Sequence, residues 1–211
     1  MLAMNGSHRT TAIVATAPVS RPPGGFTLIE LMVVLAVLAI LLTLSAPSLT
    51  SFMRSAELST ASDSFVASLN AARSEAMKRN LPAMVMPLES GRQDWSQGFV
   101  AFVDVDRDGT YTESVDITVM RRPISGTFLK VAGNGTANDM PSYVRYDGSG
   151  FAKRSDGSFG ALSLSFSRND VAPEEIFAQT RRIFIARTGR VRTCTPTSAR
   201  DPHCELLETD P

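Results

Sequence analysis

Five arginines in a short segment near the C-terminus give this sequence its most suggestive chemistry. They are Arg181, Arg182, Arg187, Arg190 and Arg192. In an extended segment, Arg190 and Arg192 point to the same side, about 6.6 Å apart, because side chains alternate along a strand. Two guanidinium groups placed in this way can each bind a phosphate oxygen of one nucleic-acid strand. Gly189 would allow the sharp turn that presents them. The alternative is a solvated strand edge, where basic residues are common because they discourage aggregation.

A second polar cluster has the pattern that opens a calcium-binding loop. The D-x-D-x-D-G pattern is formed by Asp104, Asp106, Asp108 and Gly109. The twelfth position of such a loop should supply a bidentate glutamate, but Val115 occupies it, with Glu113 and Asp116 nearby. A polar hairpin turn explains the same residues, since Asp-Gly favours turns. We therefore predict a turn and no dedicated metal site, and calcium binding stays open as the alternative.

The composition argues against an enzyme. The chain has only two histidines and no G-x-x-x-x-G-K phosphate loop, so zinc sites and most His-based catalysis lack the residues that they need. The neighbouring Glu174 and Glu175 fall on a predicted loop and do not make an acid/base pair. Basic and acidic side chains balance at 21 each, so any affinity for nucleic acid must come from a local cluster. We predict a protein without catalytic activity or cofactor.

A hydrophobic segment comes first among the elements that position these groups. Residues 26–46 read FTLIELMVVLAVLAILLTLSA, with Glu30 as the only charged residue. As a helix, this segment spans roughly 30 Å, the thickness of a bilayer's hydrocarbon. Arg9 and Arg21 precede it and favour a cytoplasmic N-terminus, with the rest of the chain beyond the membrane. An ordinary secretory signal has a shorter apolar run followed by its cleavage site. A plain signal anchor is the remaining alternative, although an ionisable Glu30 in a membrane helix usually marks function.

Residues 25–30, GFTLIE, resemble the type IV prepilin processing motif. In that family a peptidase cleaves after the glycine, the fifth mature residue is glutamate, and proline breaks the helix at the twenty-second. Glu30 and Pro47 stand at those positions. The resemblance implies that residues 1–25 are a leader cleaved after Gly25 and that Phe26 becomes N-methylated. It also implies that Glu30 pairs with the Phe26 amine of a neighbouring subunit, which neutralises a carboxylate in an apolar filament core.

The pattern of residues 47–81 predicts an amphipathic continuation of the helix. Apolar residues recur at three- and four-residue steps, or multiples of them, at Phe52, Ala56, Phe65, Leu69, Ala72 and Ala76. Pro47 should bend or locally melt the helix, because it lacks a backbone donor and clashes with the preceding turn. Pro82 should stop it.

Residues 82–211 predict a β-rich head. Short apolar runs separated by turn residues predict strands over residues 83–88, 98–105, 115–121, 126–131, 142–146, 161–167 and 181–187. We expect an α+β fold in which the long N-terminal helix packs on two small antiparallel sheets or one curled sheet. Trp95 and Phe99 are expected in the core.

Several head segments are similar to the GspH/FimT group of pilin-like proteins. They are residues 95–104 (WSQGFVAFVD), 108–109 (DG), 119–122 (VMRR) and 187–192 (RTGRVR). The resemblance implies a type IV pilin-like fold and a minor pilin that enters or primes a pilus. In the FimT branch, arginines at the glycine-arginine motif are associated with binding DNA during its uptake, which carries over best to Arg190 and Arg192.

The same resemblance implies partners and a location. The partners would be other pilins or pseudopilins, the prepilin peptidase, the inner membrane and, through the arginines, DNA. The chain would be a single-pass inner-membrane protein with a periplasmic head before assembly, and part of a pilus or pseudopilus afterwards. The alternatives are a GspH-like pseudopilin of a type II secretion system and a signal-anchored envelope protein that enters no filament.

Two cysteines near the C-terminus, Cys194 and Cys204, complete the candidate sites. A head outside the cytoplasm lies where disulfides persist, so we predict a bond that closes this loop. Such a loop is stabilised by roughly 3 kcal/mol on the chain-entropy model. The spacing is not C-x-x-C, which argues against redox catalysis.

Overall fold

The computed structural model describes residues 25–89, 93–124 and 126–205. Residues 1–24, which make up the predicted leader apart from Gly25, lie outside these ranges. They include Arg9 and Arg21. The side chains of residues 43–48 also lie outside the description. The chain divides into two compact units, Met1–Ala46 and Pro47–Pro211. The division therefore falls at the proline that the sequence marks as a break.

One helix, α1 (Leu28–Arg79), runs through both predicted helical segments. It begins after Thr27, whose Oγ1 accepts a hydrogen bond of 3.2 Å from the backbone N–H of Glu30, so Thr27 satisfies one of the free donors of the first turn. The backbone is helical at Pro47, so the local melting predicted there is not observed. Among the described residues, no helix combines the length and hydropathy that crossing a membrane requires.

The C-terminal end of α1 has a defined stop. Asn80 adopts a positive φ of 53°, and the Leu81 N–H donates to the Ala76 carbonyl at 3.3 Å. These two features form a Schellman-type cap, which satisfies a carbonyl that the helix would otherwise leave free. The helix thus ends at Arg79, two residues before the predicted boundary.

The buried face of α1 differs from the predicted face at its start. Phe65, Leu69, Ala72 and Ala76 are buried as predicted, and Leu58 and Ala61 are buried with them. Phe52 is 71% exposed and Ala56 is also exposed, so their prediction was wrong. Phe65 lies nine residues after Ala56, which is two and a half turns at 3.6 residues per turn, so the two side chains lie on opposite sides of the helix. Residues separated by several three-residue steps therefore do not stay on the same face of a helix.

Two antiparallel sheets form the head, which is the first of the two arrangements that the strand pattern left open. The first has the order β3-β2-β1-β5-β6 and the second β4-β7-β8-β9. Their strands are β1 (Ala83–Pro87), β2 (Gly98–Val103), β3 (Ile117–Pro123), β4 (Leu129–Gly133), β5 (Val144–Tyr146), β6 (Ala152–Lys153), β7 (Leu162–Arg168), β8 (Thr180–Ile185) and β9 (Val191–Cys194). The sequence missed β6 and β9 as strands. Each is a short edge strand with too few apolar residues to show alternation.

Phe65 of α1 lies at the centre of the core. Its ring contacts Trp95 and Phe99 edge-on, with centroids 5.5 and 5.0 Å away, and contacts Phe166 at 5.4 Å. Phe99 belongs to β2 and Phe166 to β7, so one side chain packs against both sheets. Trp95 and Phe99 are buried, which confirms their predicted place in the core. The predicted α+β fold, a helix packed on antiparallel sheets, is also confirmed.

Candidate nucleic-acid interface and N-terminal motif

A tight hairpin between β8 and β9 carries the arginine segment. The two strands pair antiparallel, and the turn is closed by hydrogen bonds from the Gly189 N–H to the Ala186 carbonyl at 2.8 Å and from the Ala186 N–H to the Arg190 carbonyl at 3.0 Å. Gly189 has a φ of 79°, a left-handed conformation that glycine adopts at little cost. The turn predicted at Gly189 is therefore present.

Arg73 of α1 holds this turn in place. Its Nε donates to the Gly150 carbonyl at 2.9 Å and its Nη2 to the Thr188 carbonyl at 3.0 Å. A Cβ on Gly189 would lie 2.0 Å from the Gly150 oxygen, so the two loops approach too closely for any side chain there. No spacing in the sequence reveals these contacts, because their acceptors are backbone carbonyls, which every residue has.

Arg181 and Arg182 are separated by the geometry of β8. Adjacent strand residues point to opposite faces, and both side chains are half-buried. Arg181 Nη1 donates to the carbonyls of Ala178 and Thr180 at 2.9 and 3.0 Å. Arg182 Nη1 donates to the Cys204 carbonyl at 2.9 Å. The structure therefore does not bring the five predicted arginines onto one surface.

The other three arginines, Arg187, Arg190 and Arg192, are exposed at the turn and on β9. We call these three residues the hairpin arginines. The guanidinium of Arg192 lies 4.9 Å from the ring centroid of Phe184, its partner in the β8–β9 register, and its Nη2 donates to the Glu205 carbonyl at 3.0 Å. The residue between Arg190 and Arg192 is half-buried, which agrees with the predicted alternation.

No acidic residue in the described part of the chain pairs with the hairpin arginines. The acceptor of Arg192 is a carbonyl oxygen, which does not neutralise the charge. A guanidinium has five N–H donors, so donors remain for phosphate oxygens.

A closed C-terminal loop borders the hairpin. The predicted disulfide between Cys194 and Cys204 is present, with Cα atoms 5.8 Å apart. Inside the loop, Asp201 accepts hydrogen bonds from the N–H and hydroxyl of Thr197 at 2.9 and 2.8 Å and from the His203 N–H at 3.0 Å. The bonds from Thr197 hold the pKa of Asp201 below its usual range. The last residue of this loop, Cys204, supplies the carbonyl that accepts from Arg182, and Glu205 directly after it supplies the one that accepts from Arg192.

The acidic residues lie in the loop that joins β2 to β3, so the predicted hairpin connection is present. Asp104 is fully buried; its Oδ2 accepts from the Gly109 N–H at 3.2 Å. Its Oδ1 has no hydrogen-bond partner among the described residues. Asp106 and Asp108 are exposed. Burial raises the pKa of Asp104 above its usual value, and the charges of Asp116 and Asp108 raise that pKa further. The burial of Asp104 was not predicted from the sequence.

The residues of the N-terminal motif are accessible. Gly25, Phe26 and Glu30 are all exposed, Phe26 by 85%. A Cβ on Gly25 would meet nothing within 4 Å, so packing within this chain does not require glycine there. Sequence reasoning missed the capping role of Thr27, although a threonine three residues before a glutamate is a recognised helix-start signal.

Two family models match the sequence of this chain. A family model described as type II transport protein GspH matches residues 61–189, and a model of the prokaryotic N-terminal methylation motif matches residues 21–46. No curated protein sequence matched the chain.

Solved structures similar to this chain include two crystal forms of the type IV minor pilin FimU from Pseudomonas aeruginosa strain PAO1. One is 16% identical, with 70% of this chain and 99% of that chain covered and a TM-score of 0.48. The other is 17% identical, with 67% and 96% covered and a TM-score of 0.47. The GspH model spans more than half of the sequence, and the chain therefore belongs to the GspH family of minor pilins and pseudopilins.

Proposed function

We propose that this chain is a minor type IV pilin that binds DNA through its hairpin arginines. Before assembly, residues 26–46 would anchor it in the inner membrane with a periplasmic head. After the prepilin peptidase cleaves behind Gly25, the subunit would enter a pilus or its initiating complex with other pilins, without catalysing a reaction. The observation that carries the DNA-binding part is the exposure of three arginines on one hairpin with no acidic partner among the described residues.

Processing at Gly25 is the first expectation. Co-expressed with a prepilin peptidase, the chain should yield a mature protein that begins with N-methylated Phe26, and intact-mass spectrometry would identify it. A Gly25→Val variant should remain at full length, because the branched side chain fills the space that the motif leaves open at the cleaved bond. The Gly24→Ala variant is the neighbouring control and should be processed normally. A chain that an active peptidase leaves uncleaved would instead indicate a signal-anchored protein.

Glu30 and Pro47 belong to the assembly part of the proposal. Glu30 would accept the methylated amine of a neighbouring subunit's Phe26, because a carboxylate in an apolar filament core needs a paired cation. Its exposed position in the first turn of α1 supports this role. Pro47 would mark where the helix leaves the filament core.

The charge of the mature chain limits how DNA can bind. Loss of residues 1–25 removes Arg9 and Arg21 and no acid, which leaves 19 basic and 21 acidic side chains. Long-range attraction to DNA is then weak, so affinity must come from local phosphate contacts. Each contact contributes about 0.9 to the slope of log affinity against log salt. Two or three hairpin arginines therefore predict modest affinity and a slope of about −2 to −3.

Replacing Arg190 and Arg192 with alanine should lower the affinity for DNA about tenfold or more at low salt and reduce the salt slope by about two. The measurement is fluorescence anisotropy of short double-stranded DNA titrated with the full chain in nonionic detergent, at low and moderate salt. The matched control is Arg121→Ala/Arg122→Ala, which removes the same charge from exposed positions on β3 and should stay within about twofold.

Two results would contradict DNA binding through the hairpin. One is no binding at low salt by a folded protein, and the other is an equal loss in the β3 control. The first would favour the second candidate function, a pseudopilin of a type II secretion system. The name of the matching family model, type II transport protein GspH, favours that candidate. The hairpin arginines would then contact proteins of the secretion machinery.

A further inference from the structure

We propose that the loop between β2 and β3 binds one calcium ion through Asp104, Asp106 and Asp108. The site is separate from the hairpin arginines, and it goes beyond the proposed role in DNA binding. One carboxylate oxygen from each of these residues lies within 4.8 Å of the others. Calcium binds oxygen at 2.3–2.6 Å, so two oxygens on one ion are at most about 5 Å apart. The three aspartates therefore already stand at a separation that one ion can bridge.

The buried oxygen of Asp104 is the observation that points to a ligand. Asp104 is 0% exposed, and its Oδ1 accepts no hydrogen bond from any described residue. Its two oxygens share one carbon, so Oδ1 is either the oxygen that faces Asp106 and Asp108 or its immediate neighbour. Buried polar atoms are nearly always satisfied, and an unsatisfied carboxylate is costly. A bound cation would satisfy it.

No cationic side chain in the described structure forms an ion pair with Asp104. Arg145 on β5 is the positive group that acts on Asp104, but the two form no ion pair within the described ranges. The neighbouring carboxylates of Asp108 and Asp116 add negative charge instead. The loop therefore gathers more negative charge than its own residues compensate, which is the electrostatic condition for binding a divalent cation.

The loop keeps its form without the missing glutamate of the twelfth position. Asp116 accepts the backbone N–H of Val105 at 3.0 Å through Oδ1 and that of Thr112 at 2.7 Å through Oδ2. Asp116 thus ties the two ends of the loop together. Position twelve itself is Val115, which is 44% exposed and offers no side-chain oxygen. Water would complete the coordination, because calcium takes six to eight oxygen ligands in flexible geometry.

This donor set predicts weak and selective binding. Three carboxylates without a bidentate ligand correspond to dissociation constants of about 10⁻⁴–10⁻³ M, as in extracellular modules. Magnesium should bind less well, because it demands a near-ideal octahedron and gives up its water reluctantly.

Thermal unfolding of the full chain in nonionic detergent tests the site. At about 10 mM CaCl₂ the melting temperature should rise by about 3–10 °C over that in EGTA, which follows from linkage at the expected affinity. The same concentration of MgCl₂ should give less than half of this shift. Terbium, which replaces calcium in oxygen sites, gives a direct reading of binding, because Tyr111 lies in the loop and can transfer excitation to a bound ion.

Asp106→Asn/Asp108→Asn is the informative variant, because both side chains are exposed and their loss leaves the fold intact. It should lose the calcium shift and the terbium emission. The control Glu57→Gln/Asp63→Asn removes the same charge from exposed positions on α1 and should keep both signals. A melting temperature unchanged by calcium, or a shift that survives in the Asp106/Asp108 variant, would overturn the proposal. Neither outcome bears on DNA binding, which the arginine variants test separately.

Discussion

Replacing Phe65 with alanine is expected to lower the free energy of unfolding by about 3–5 kcal/mol. The side chain is 0% exposed and contacts the rings of Trp95, Phe99 and Phe166. Those rings come from both sheets and the segment before β2, so the surrounding structure cannot collapse into the cavity by moving one element. The loss should therefore lie near the upper end of the range for large core residues.

Chemical unfolding of the full chain in detergent, followed by the fluorescence of the single tryptophan, Trp95, measures this loss. Phe52→Ala is the matched control, because it removes the same ring from a position on α1 that is 71% exposed. Its effect should be within about 0.5 kcal/mol. Equal losses in the two variants would mean that the buried face of α1 is not the one described.

Replacing Asp170 with asparagine is expected to destabilise the head by about 2–3 kcal/mol at neutral pH. Arg168, the last residue of β7, has a side chain that is 3% exposed, and its Nε lies 2.9 Å from Asp170 Oδ1. Arg54 of α1 also pairs with Asp170. The asparagine would leave a buried guanidinium without its carboxylate. Ser51 and Ser55 still accept hydrogen bonds from Arg168, which keeps the loss below that of a wholly unpaired charge.

This contribution should depend on pH in a definite direction. The hydrogen bond from Arg168 holds the pKa of Asp170 far below its usual range. A carboxyl whose pKa is lower in the folded state adds stability above its unfolded pKa, about 3.9, and this stability is lost as the pH falls toward the folded pKa. The difference between wild type and Asp170→Asn should therefore be full near neutral pH and shrink below about pH 4. Asp63→Asn, at an exposed position, should show a small difference at every pH. A gap that stays constant down to strong acid would contradict the pairing.

The strands could be predicted because their signal is local. Runs such as residues 161–167 alternate apolar and polar residues, and the burial of β7 alternates in the same way. The turn at Gly189 was predictable for the same reason, since glycine is the residue that adopts a positive φ without strain. Patterns within a few residues of each other fixed both features.

The features that escaped prediction depend on distant or backbone partners. Arg168 reads as a solvated charge, because its contact at Ser51 is 117 residues away in sequence. Arg182 reads as part of a basic patch, yet its acceptor is the carbonyl of Cys204, and every residue has a carbonyl. Strand alternation does predict that Arg181 and Arg182 point in opposite directions. Grouping the arginines by their closeness in sequence overlooked this. The sequence shows where the charged residues are along the chain. Tertiary contacts decide which of them are free to bind a ligand.

The two hydrogen bonds of Arg73 give the hairpin a mechanical connection as well as a position. A DNA strand bound by the hairpin arginines would pull on the turn at Thr188. Arg73 links the Thr188 carbonyl directly to α1. The same guanidinium also holds Gly150, so the load is shared between two loops before it reaches the helix. Tension on the hairpin would thus reach the helix by a path that bypasses the hydrogen-bond ladders of both sheets.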